Sequence, residues 1–262
     1  MRILFLGNNW VGWQIVRWLR GQGEEIVGVV VHPSGKQKYG EEIIDSAFVD
    51  PRNVFDGSRL NEPEAFKAVK ALQPELGISS LFGYILCQEF LELMPSGCVN
   101  IHPALLPYNR GAYPNVWSIV EETPAGVTVH YIDEGMDTGE IIAQRQVEVN
   151  PFDTGKSLYH KLEESAVNLF KESWPLIRSG QASRISQNKN EGTYHRVQDI
   201  ENIDEIDLDY TYTARELINI IRARTFPPYR GAYFWQQGRK VYLRLQLLDE
   251  EELRITDNGM HD

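Results

Sequence analysis

The N-terminal part of the sequence shows a strand, a helix and a second strand in direct succession. Ile3–Leu6 is a short apolar run, and residues 10–20 have a helical pattern that ends at Gly21. Ile26–Val31 is a continuous apolar run, which is typical of a strand covered on both faces of a sheet. Strand, helix and strand in this order form a right-handed crossover between parallel strands. The sequence therefore predicts an α/β fold with a Rossmann-like, mostly parallel sheet.

More elements of the same sheet follow along the chain. Pro63 stands at a first-turn position of a helix that is expected to run to Ala71. A helix from about Thr154 to Ser173 carries an apolar face and is expected to end before Pro175, because proline disrupts a helix interior. Three further strands are predicted at Gly77–Leu81, Gly126–Ile132 and Glu140–Val149.

A change of composition after Gly180 divides the sequence. Ser, Gln, Asn and Lys predominate as far as Asn190, which is typical of a linker. We therefore predict a large α/β domain over residues 1–180, a linker over 181–190 and a small mixed α+β C-terminal domain over 191–262.

The C-terminal part contains one helix signal and one strand signal. Thr213 and Glu216 match a capping box at the start of a helix that runs to about Arg224. A strand is predicted over Lys240–Leu248, after a Gln-Gly turn. The acidic residues 249–262 are expected to be partly disordered.

Charge and composition exclude several classes of function. The 262 residues carry a formal net charge of −11, and residues 181–262 contain 11 Lys and Arg against 14 Asp and Glu, a net of −3. A protein that grips nucleic acid needs clustered basic residues, and the sequence has no such cluster. No apolar run is long enough to cross a bilayer, and the first apolar segment is too short for a signal peptide. Cys87 and Cys98 lack the spacing of metal ligands, so we expect no metal site. Together, these features predict a cytoplasmic protein with no nucleic-acid or membrane partner.

The stretch Val99–Gly139 carries the strongest chemical signal. Asn100 and His102 lie two residues apart at the end of a short apolar segment, and the acidic turn DEGMDTG after the next apolar run presents Asp137. An amide, an imidazole and a carboxylate at the ends of neighbouring strands can polarise a carbonyl, move a proton and orient the imidazole. Taken singly, each residue is explained as well by a loop, a turn or a helix cap. Their joint occurrence favours a catalytic site.

The same stretch resembles the formyltransferase family that uses 10-formyltetrahydrofolate, whose signature is Asn-x-His-Pro-x-Leu-Leu-Pro with a downstream Asp-x-Gly-x-Asp-x-Gly. The resemblance covers about residues 1–180. It implies a formyltransferase fold and catalytic domain, 10-formyltetrahydrofolate as the cosubstrate, and catalytic roles for Asn100, His102 and Asp137. Ala104 stands where many members have Ser. Since only a local hydroxyl bond is lost there, the three roles are unaffected.

The loop positions and the resemblance together imply two sets of ligand contacts. Folate contacts are expected from Phe82, Gly83, Tyr84, Asp133, Glu134, Gly135 and Met136. Substrate contacts are expected from Asn9, Tyr108, Asn109, Arg110 and Tyr113. The guanidinium of Arg110 is suited to a bidentate bond with a phosphate or a carboxylate. His130 lies inside a predicted strand and is expected to pack there without a chemical role.

The C-terminal stretch Phe226–Phe234, FPPYRGAYF, looks like that of bacterial enzymes that formylate a nucleotide-linked amino sugar. This likeness implies a dTDP-linked 4-amino-4,6-dideoxyhexose, or a GDP-linked variant, as the acceptor. It also implies a product used in surface polysaccharides such as the O-antigen of lipopolysaccharide. Two alternatives stay open. One is formylation of methionyl-tRNA, which the acidic C-terminal part disfavours, and the other is a non-catalytic protein that binds folate or a nucleotide sugar.

A homodimer assembled through residues 191–262 is expected, because this small part of the chain is rich in aromatic residues. Aromatic side chains supply a large buried area at an interface with few lost rotamers. The residues concerned are Tyr210, Tyr212, Phe226, Tyr229, Tyr233, Phe234 and Trp235. In the alternative arrangement, they pack back onto the N-terminal domain.

Overall fold

The computed structural model describes residues 1–188 and 190–250, and the end of the chain predicted to be disordered falls largely on residues outside this description. The strands are β1 (Arg2–Gly7), β2 (Glu25–Val31), β3 (Val54–Asp56), β4 (Leu76–Ser80), β5 (Cys98–His102), β6 (Arg110–Gly111), β7 (Ala125–Tyr131), β8 (Ile141–Val147), β9 (Tyr194–His195), β10 (Tyr233–Gln236) and β11 (Arg239–Tyr242). The helices are α1 (Asn9–Gly21), α2 (Gly40–Ala47), α3 (Pro63–Ala71), α4 (Gln88–Leu91), α5 (Pro114–Val120), α6 (Gly155–Arg178), α7 (Glu201–Asp204) and α8 (Ala214–Ala223). Short 3₁₀-helices lie at Pro51–Asn53, Gly57–Arg59 and Val197–Ile200. None of the described helices is long and apolar enough to cross a membrane.

The central sheet has the strand order β3-β2-β1-β4-β5-β7-β8. The pairs among β1 to β5 are parallel, whereas β7 runs antiparallel to both β5 and β8. Within β1, Ile3 and Phe5 join an apolar cluster with residues of α1 and α6, while Leu4 and Leu6 join a cluster on the other face. Because successive side chains of a strand point to opposite faces, the sheet is covered on both sides. The predicted α/β fold with a mostly parallel sheet is confirmed.

Three neighbouring parallel strands place their carboxyl ends at one edge of the sheet. β1, β4 and β5 are adjacent, and Gly7 at the end of β1 pairs with Ser80 at the end of β4. Ser80 in turn pairs with Ile101 of β5. The loops that follow these strands therefore meet at the edge where open α/β sheets bind their ligands.

The long helix α6 continues further than the sequence predicts. It begins after a capping box at Thr154 and runs to Arg178, with Pro175 inside its last turn. The predicted end before Pro175 is therefore wrong. Trp174 and Ile177 are buried in the core on this last turn. Burying such side chains is worth about 1.5–3 kcal/mol each, which offsets the roughly 3 kcal/mol cost of a proline in a helix.

The C-terminal part is built from α7, α8 and the β10–β11 hairpin. Thr213 and Glu216 cap α8 reciprocally, as the sequence predicts. β11 ends at Tyr242, so the strand predicted over Lys240–Leu248 is too long. Past the hairpin, Leu245 donates its backbone N–H to the hydroxyl of Thr225, and this bond draws the chain back towards α8.

Residues 181–188 lie against the sheet domain, although the sequence predicts a linker here. Ile185 forms an isolated bridge with Ile141 at the start of β8. A few residues later, β9 pairs in parallel with β6. The predicted domain boundaries stay a prediction, but this segment is not a free connection between two bodies.

Candidate active site

A cleft of about 1380 Å³ opens where the carboxyl ends of β1, β4 and β5 meet. Its walls are formed by the loops after these strands, by residues 132–137, by the first half of α6 and by residues 224–230. Pockets for a single small molecule usually measure about 300–1,000 Å³. The cleft is therefore large enough for two ligands side by side.

Asn100, His102 and Asp137 come together on one wall of this cleft. Asn100 and His102 are two residues apart in β5, so their side chains project from the same face of the sheet. The Oδ2 atom of Asp137 lies 3.6 Å from Nδ1 of His102. The amide nitrogen of Asn100 donates to Oδ1 of Asp137 over 3.4 Å. The fold thus unites the three residues on which the predicted chemistry depends.

Asp137 is held through its backbone and through its carboxylate. Its φ of 53° lies in the left-handed region, which Asp occupies more readily than most residues. The backbone N–H of Gly111 donates to Oδ2 over 2.9 Å. Burial acts to raise the pKa of Asp137, but the nearby rings of His102 and His130 and the Gly111 bond outweigh it and hold this pKa well below its usual range. Asp137 is therefore ionised at every physiological pH.

His102 has one ring nitrogen available for chemistry. Its Nε2 lies 3.1 Å from the backbone carbonyl of Asn109, and since a carbonyl only accepts, Nε2 carries a hydrogen and donates. Burial lowers the pKa of His102, and the charge of Asp137 opposes this effect only in part. The ring is therefore uncharged at neutral pH, with Nδ1 unprotonated and facing Asp137. The Asn109 carbonyl is an orienting group that the sequence does not reveal.

His130 is a site residue that the sequence reasoning missed. It is only 2% exposed, yet its ring borders the cleft. Its Nδ1 donates to the carbonyl of Tyr131 over 2.7 Å, so Nε2 accepts from the amide of Asn100 over 3.2 Å. The antiparallel pairing of β5 and β7 places Asn100 directly opposite His130. That register is the signal that would have found His130, and it belongs to the tertiary structure.

All of the predicted folate contacts line the cleft, namely Phe82, Gly83, Tyr84, Asp133, Glu134, Gly135 and Met136. The ring of His32 packs edge-on against Phe82 and Tyr84, with centroids 5.8 and 5.0 Å away. Asp133 accepts hydrogen bonds from Gly135 N and from the Thr138 hydroxyl, which closes the acidic turn. These loops form a wall that combines aromatic surface with exposed backbone.

The predicted substrate contacts divide into two groups. Asn9 and Tyr113 line the cleft, whereas Tyr108, Asn109 and Arg110 do not. The expectation for Asn109 and Arg110 is corrected, because both are buried and hold protein groups instead. Tyr108 is exposed, and its contact with the substrate stays a prediction.

The side chains of Asn109 and Arg110 are saturated by neighbouring segments. The amide nitrogen of Asn109 donates to the hydroxyls of Ser118 and Thr123. The guanidinium of Arg110 donates to Oε1 of Gln187 over 2.9 Å and to backbone carbonyls of the same segment. With these partners, Arg110 is not free to bind a phosphate.

A second wall of the cleft faces the predicted site from α6 and the C-terminal part. We call it the α6 wall, and it consists of Lys38, Tyr159, Glu163, Phe226, Tyr229 and Arg230. Lys38 Nζ donates to the hydroxyl of Tyr229 over 2.8 Å. Neither Lys38 nor Arg230 forms an ion pair with an acid in residues 1–188 or 190–250. Burial raises the pKa of Glu163, while hydrogen bonds from His160 and Tyr159 oppose the rise.

The described residues contain no group of three or more His, Cys, Asp or Glu that could hold a metal ion. Cys87 is exposed and Cys98 is buried, and both are free thiols. Burial raises the pKa of the Cys98 thiol to about 12, so this residue behaves as an apolar side chain.

Two family models match the chain. Residues 1–173 match the model described as formyl transferase. Residues 199–249 match the model described as the N-formyltransferase dimerization C-terminal domain. Together they account for the sheet domain and for the C-terminal part, and they leave the segment between them unassigned.

Individual proteins show the same likeness. The chain is 30% identical over 262 residues to a methionyl-tRNA formyltransferase of Acetivibrio thermocellus, covering 98% of this chain and 83% of that protein. A crystal structure of a 4-N formyltransferase from Francisella tularensis is 31% identical, with a TM-score of 0.78 over 95% of this chain and 98% of the other. The formyltransferase PseJ from Anoxybacillus kamchatkensis, solved with UDP-4,6-dideoxy-4-formamido-L-AltNAc and tetrahydrofolate, is 32% identical, with a TM-score of 0.55 over 77% of this chain and 89% of the other.

Proposed function

Since the chain belongs to the folate-dependent formyltransferase family, we propose that it transfers a formyl group from 10-formyltetrahydrofolate to the amine of a nucleotide-linked amino sugar. The observation that carries the acceptor class is the α6 wall, where Lys38 and Arg230 border the same cleft as Asn100, His102 and Asp137. Two cationic side chains that form no ion pair with an acid among the described residues suit the diphosphate of a nucleotide sugar, and they stand out in a chain with a net charge of −11.

In the proposed reaction the sugar amine attacks the formyl carbon, forming a new C–N bond while the formyl oxygen gains negative charge. The amide nitrogen of Asn100 is a donor that can turn from Asp137 to this oxygen. When the tetrahedral centre collapses, the bond to N10 of the folate breaks and N10 takes up a proton. The products are the formamido sugar and tetrahydrofolate.

The amine must lose a proton during this attack. Nδ1 of His102 is the unprotonated ring nitrogen, and it lies 3.6 Å from Oδ2 of Asp137 on the same wall of the cleft. We assign His102 as the base, either directly or through a water molecule. Asp137 stabilises the imidazolium that forms, because its carboxylate stays ionised beside the ring.

The two ligands would occupy different walls. The loop Phe82–Tyr84 and the turn Asp133–Met136 supply the aromatic and backbone surface on which we place the folate. The α6 wall then takes the acceptor, with Asn9 and Tyr113 as further contacts. PseJ, a protein similar to this chain, was solved with tetrahydrofolate and a UDP-linked formamido sugar, which supports a site of this composition.

We expect a dTDP-linked 4-amino-4,6-dideoxyhexose, or a GDP-linked variant, as the acceptor of this protein. The product would then be used in the cytoplasmic synthesis of a surface polysaccharide such as O-antigen.

Formylation of methionyl-tRNA is the second candidate, and the similarity to methionyl-tRNA formyltransferases favours it. The net charge of −3 over residues 181–262 counts against it, because a tRNA surface needs basic residues. A non-catalytic binding protein is the third candidate. The joint presence of Asn100, His102 and Asp137 disfavours it, since binding alone does not require them.

One experiment separates these candidates. The protein is incubated with 10-formyltetrahydrofolate and a panel of dTDP-, GDP- and UDP-linked amino sugars, with charged methionyl-tRNA in parallel. We expect a formyl mass gain on one or more sugar nucleotides and none on tRNA. Labelling of tRNA alone would overturn the acceptor assignment, and no labelling of either would leave the binding-protein candidate.

We also propose that the protein is a homodimer that pairs through its C-terminal part, where the dimerization-domain model matches. The aromatic residues of this part divide in the structure. Phe226 and Tyr229 pack towards the sheet domain on the α6 wall, as the alternative held. Trp235 on the β10–β11 hairpin is 48% exposed and remains available for an interface.

Sedimentation velocity at micromolar concentration tests the dimer. We expect the parent to be dimeric and Trp235→Glu to shift it towards monomer, because a charge in an apolar interface is costly. Phe48→Glu is the matched control, since Phe48 is also an exposed aromatic residue but lies at the end of α2 in the sheet domain. A monomeric parent, or equal dissociation of both variants, would contradict the proposal.

A further inference from the structure

Gln187 connects the acidic turn that carries Asp137 with the loop that follows His102 at the end of β5. We call His102 and Asp137 the catalytic pair. Its Nε2 donates to the backbone carbonyls of Asp137 and Gly139 over 2.9 and 2.7 Å. Its Oε1 accepts from the guanidinium of Arg110 over 2.9 Å. A single side-chain amide therefore ties the acidic turn to the loop after β5.

The hydrogen bond from Gln187 to the Asp137 carbonyl stabilises a backbone conformation that is unfavourable for a residue other than glycine. Asp137 has a φ of 53°, and a residue other than glycine persists in this region only where its surroundings fix it. The same backbone sets the direction of the carboxylate, which lies 3.6 Å from His102. Loss of the Gln187 amide removes a bond to the Asp137 backbone and leaves the bonds from Gly111 and Asn100, which reach only the carboxylate.

Thr193 stabilises the position of His102, the other member of the catalytic pair, through the backbone of Asn109. Its hydroxyl accepts from the backbone N–H of Asn109 over 2.9 Å and donates to Oδ1 of Asn109 over 3.0 Å. Asn109 also has a positive φ, 56°, and its carbonyl accepts the Nε2 hydrogen of His102. Thr193 thus fixes the backbone group that orients the His102 ring.

We propose that Gln187 and Thr193 are positioning residues of the active site, which set the geometry of Asp137 and His102 from a segment that neither family model covers. The inference rests on the catalytic roles proposed above for His102 and Asp137. It assigns a function to residues that lie between the two matched regions. The polar composition around Gln187 conceals this function, since the sequence predicts a linker there.

Four variants of the full-length protein test the proposal. Gln187→Met keeps the length of the side chain and removes its donors and acceptor without adding charge. Thr193→Val keeps the shape and removes the hydroxyl, whereas Thr193→Ser keeps the hydroxyl and should restore parental behaviour. Gln181→Met is the matched control, because Gln181 is an exposed glutamine of the same segment.

Steady-state kinetics give the first measurement, with whichever formyl acceptor the parent uses. We expect kcat to fall on the order of 10- to 100-fold in Gln187→Met and Thr193→Val, the range associated with a misplacement of about 1 Å. KM for both substrates should stay within about twofold, because neither residue lines the cleft. Tm should stay near the parental value, which excludes general unfolding as the cause.

The titration of the His102 ring, followed by ¹⁵N-histidine NMR in the free protein, gives the second measurement. His102 faces Asp137, His130 and the Asn109 carbonyl, and both Asp137 and that carbonyl raise its pKa. Displacing the Asp137 carboxylate or the Asn109 carbonyl should therefore lower the pKa of His102. We expect this in Gln187→Met and Thr193→Val, and not in Thr193→Ser or Gln181→Met. A purely structural role would leave this titration unchanged.

Parental kcat or a parental His102 titration in both Gln187→Met and Thr193→Val would overturn the proposal. The same holds if Thr193→Ser is as impaired as Thr193→Val. The ring titration needs no acceptor, so a failure of the proposed sugar specificity does not affect it. Conversely, an unchanged titration leaves the acceptor assignment intact.

Discussion

The catalytic pair and the α6 wall occupy one cleft but are built differently. The side chain of Asp137 is 12% exposed, and backbone groups of Gly111 and Asn109 hold Asp137 and His102. Lys38 and Arg230 are exposed, and they come from segments almost two hundred residues apart in sequence. Because backbone contacts fix the first region, substitutions there should change the rate of the chemical step. Substitutions in the second region should change the affinity for the acceptor.

The largest expected effect is that of His102→Asn. Loss of a positioned acid–base group reduces rates on the order of 10²–10⁴-fold, and we expect kcat to fall by that factor. The replacement is polar and smaller than His, so the buried position should accept it without unfolding. Turnover assays, with circular dichroism as the check on folding, measure this effect. Activity within a few fold of the parent would show that His102 is not the base.

Asp137→Asn should have the next largest effect. Asn tolerates a positive φ as well as Asp does, so the turn should survive while the negative charge is lost. We expect kcat to fall on the order of 10²-fold, since the charge that stabilises the imidazolium is removed.

The pH dependence of the same variant sharpens the test. The charge of Asp137 raises the pKa of His102, so its removal lowers that pKa further. The uncharged, basic form of His102 then persists to lower pH, and the acidic limb of the kcat profile should move to lower pH while the maximum falls. If the profile of Asp137→Asn matches the parent in height and position, Asp137 serves only the turn.

Lys38→Ala should have the smallest effect, and it should change KM for the acceptor instead of kcat. An exposed cation contributes roughly 1 kcal/mol to binding an anion, which corresponds to about a fivefold change. We therefore expect KM for the nucleotide sugar to rise about fivefold while kcat and KM for the folate stay near parental values. Lys36→Ala is the control, because Lys36 is an exposed lysine of the same loop that does not line the cleft. Equal effects of the two substitutions, or a loss confined to kcat, would remove the distinction between the two regions.

The fold could be predicted in outline because its signals are local. The apolar runs of β1 and β2 and the helix between them imply a parallel sheet through the handedness of the crossover. The capping box at Thr213 and Glu216 locates the start of α8 for the same reason. The end of α6 could not be predicted, because burial of Trp174 and Ile177 overrides the local effect of Pro175.

The residues of the candidate site also divide into those with a local sequence signal and those that only tertiary packing brings into place. Asn100 and His102 are close in sequence, and the acidic turn presents Asp137, so the sequence alone nominated all three. His130 and Lys38 carry no local signal. Strand register brings His130 opposite Asn100, and loop packing brings Lys38 to Tyr229.

The sequence by itself determined the α/β class, the chemistry of an amide, an imidazole and a carboxylate, and the likeness to formyltransferases. These depend on residue types at short spacings, which local physics converts into strands, turns and loop ends. Only the tertiary structure decided that Arg110 holds Gln187 instead of lining the cleft, that the Asn109 carbonyl orients His102, and that Lys38 and Arg230 share one wall. The Arg110–Gln187 contact and the shared wall of Lys38 and Arg230 join residues tens to hundreds of positions apart. The Asn109–His102 contact spans only seven positions, but it depends on the loop conformation that the packing of the chain imposes.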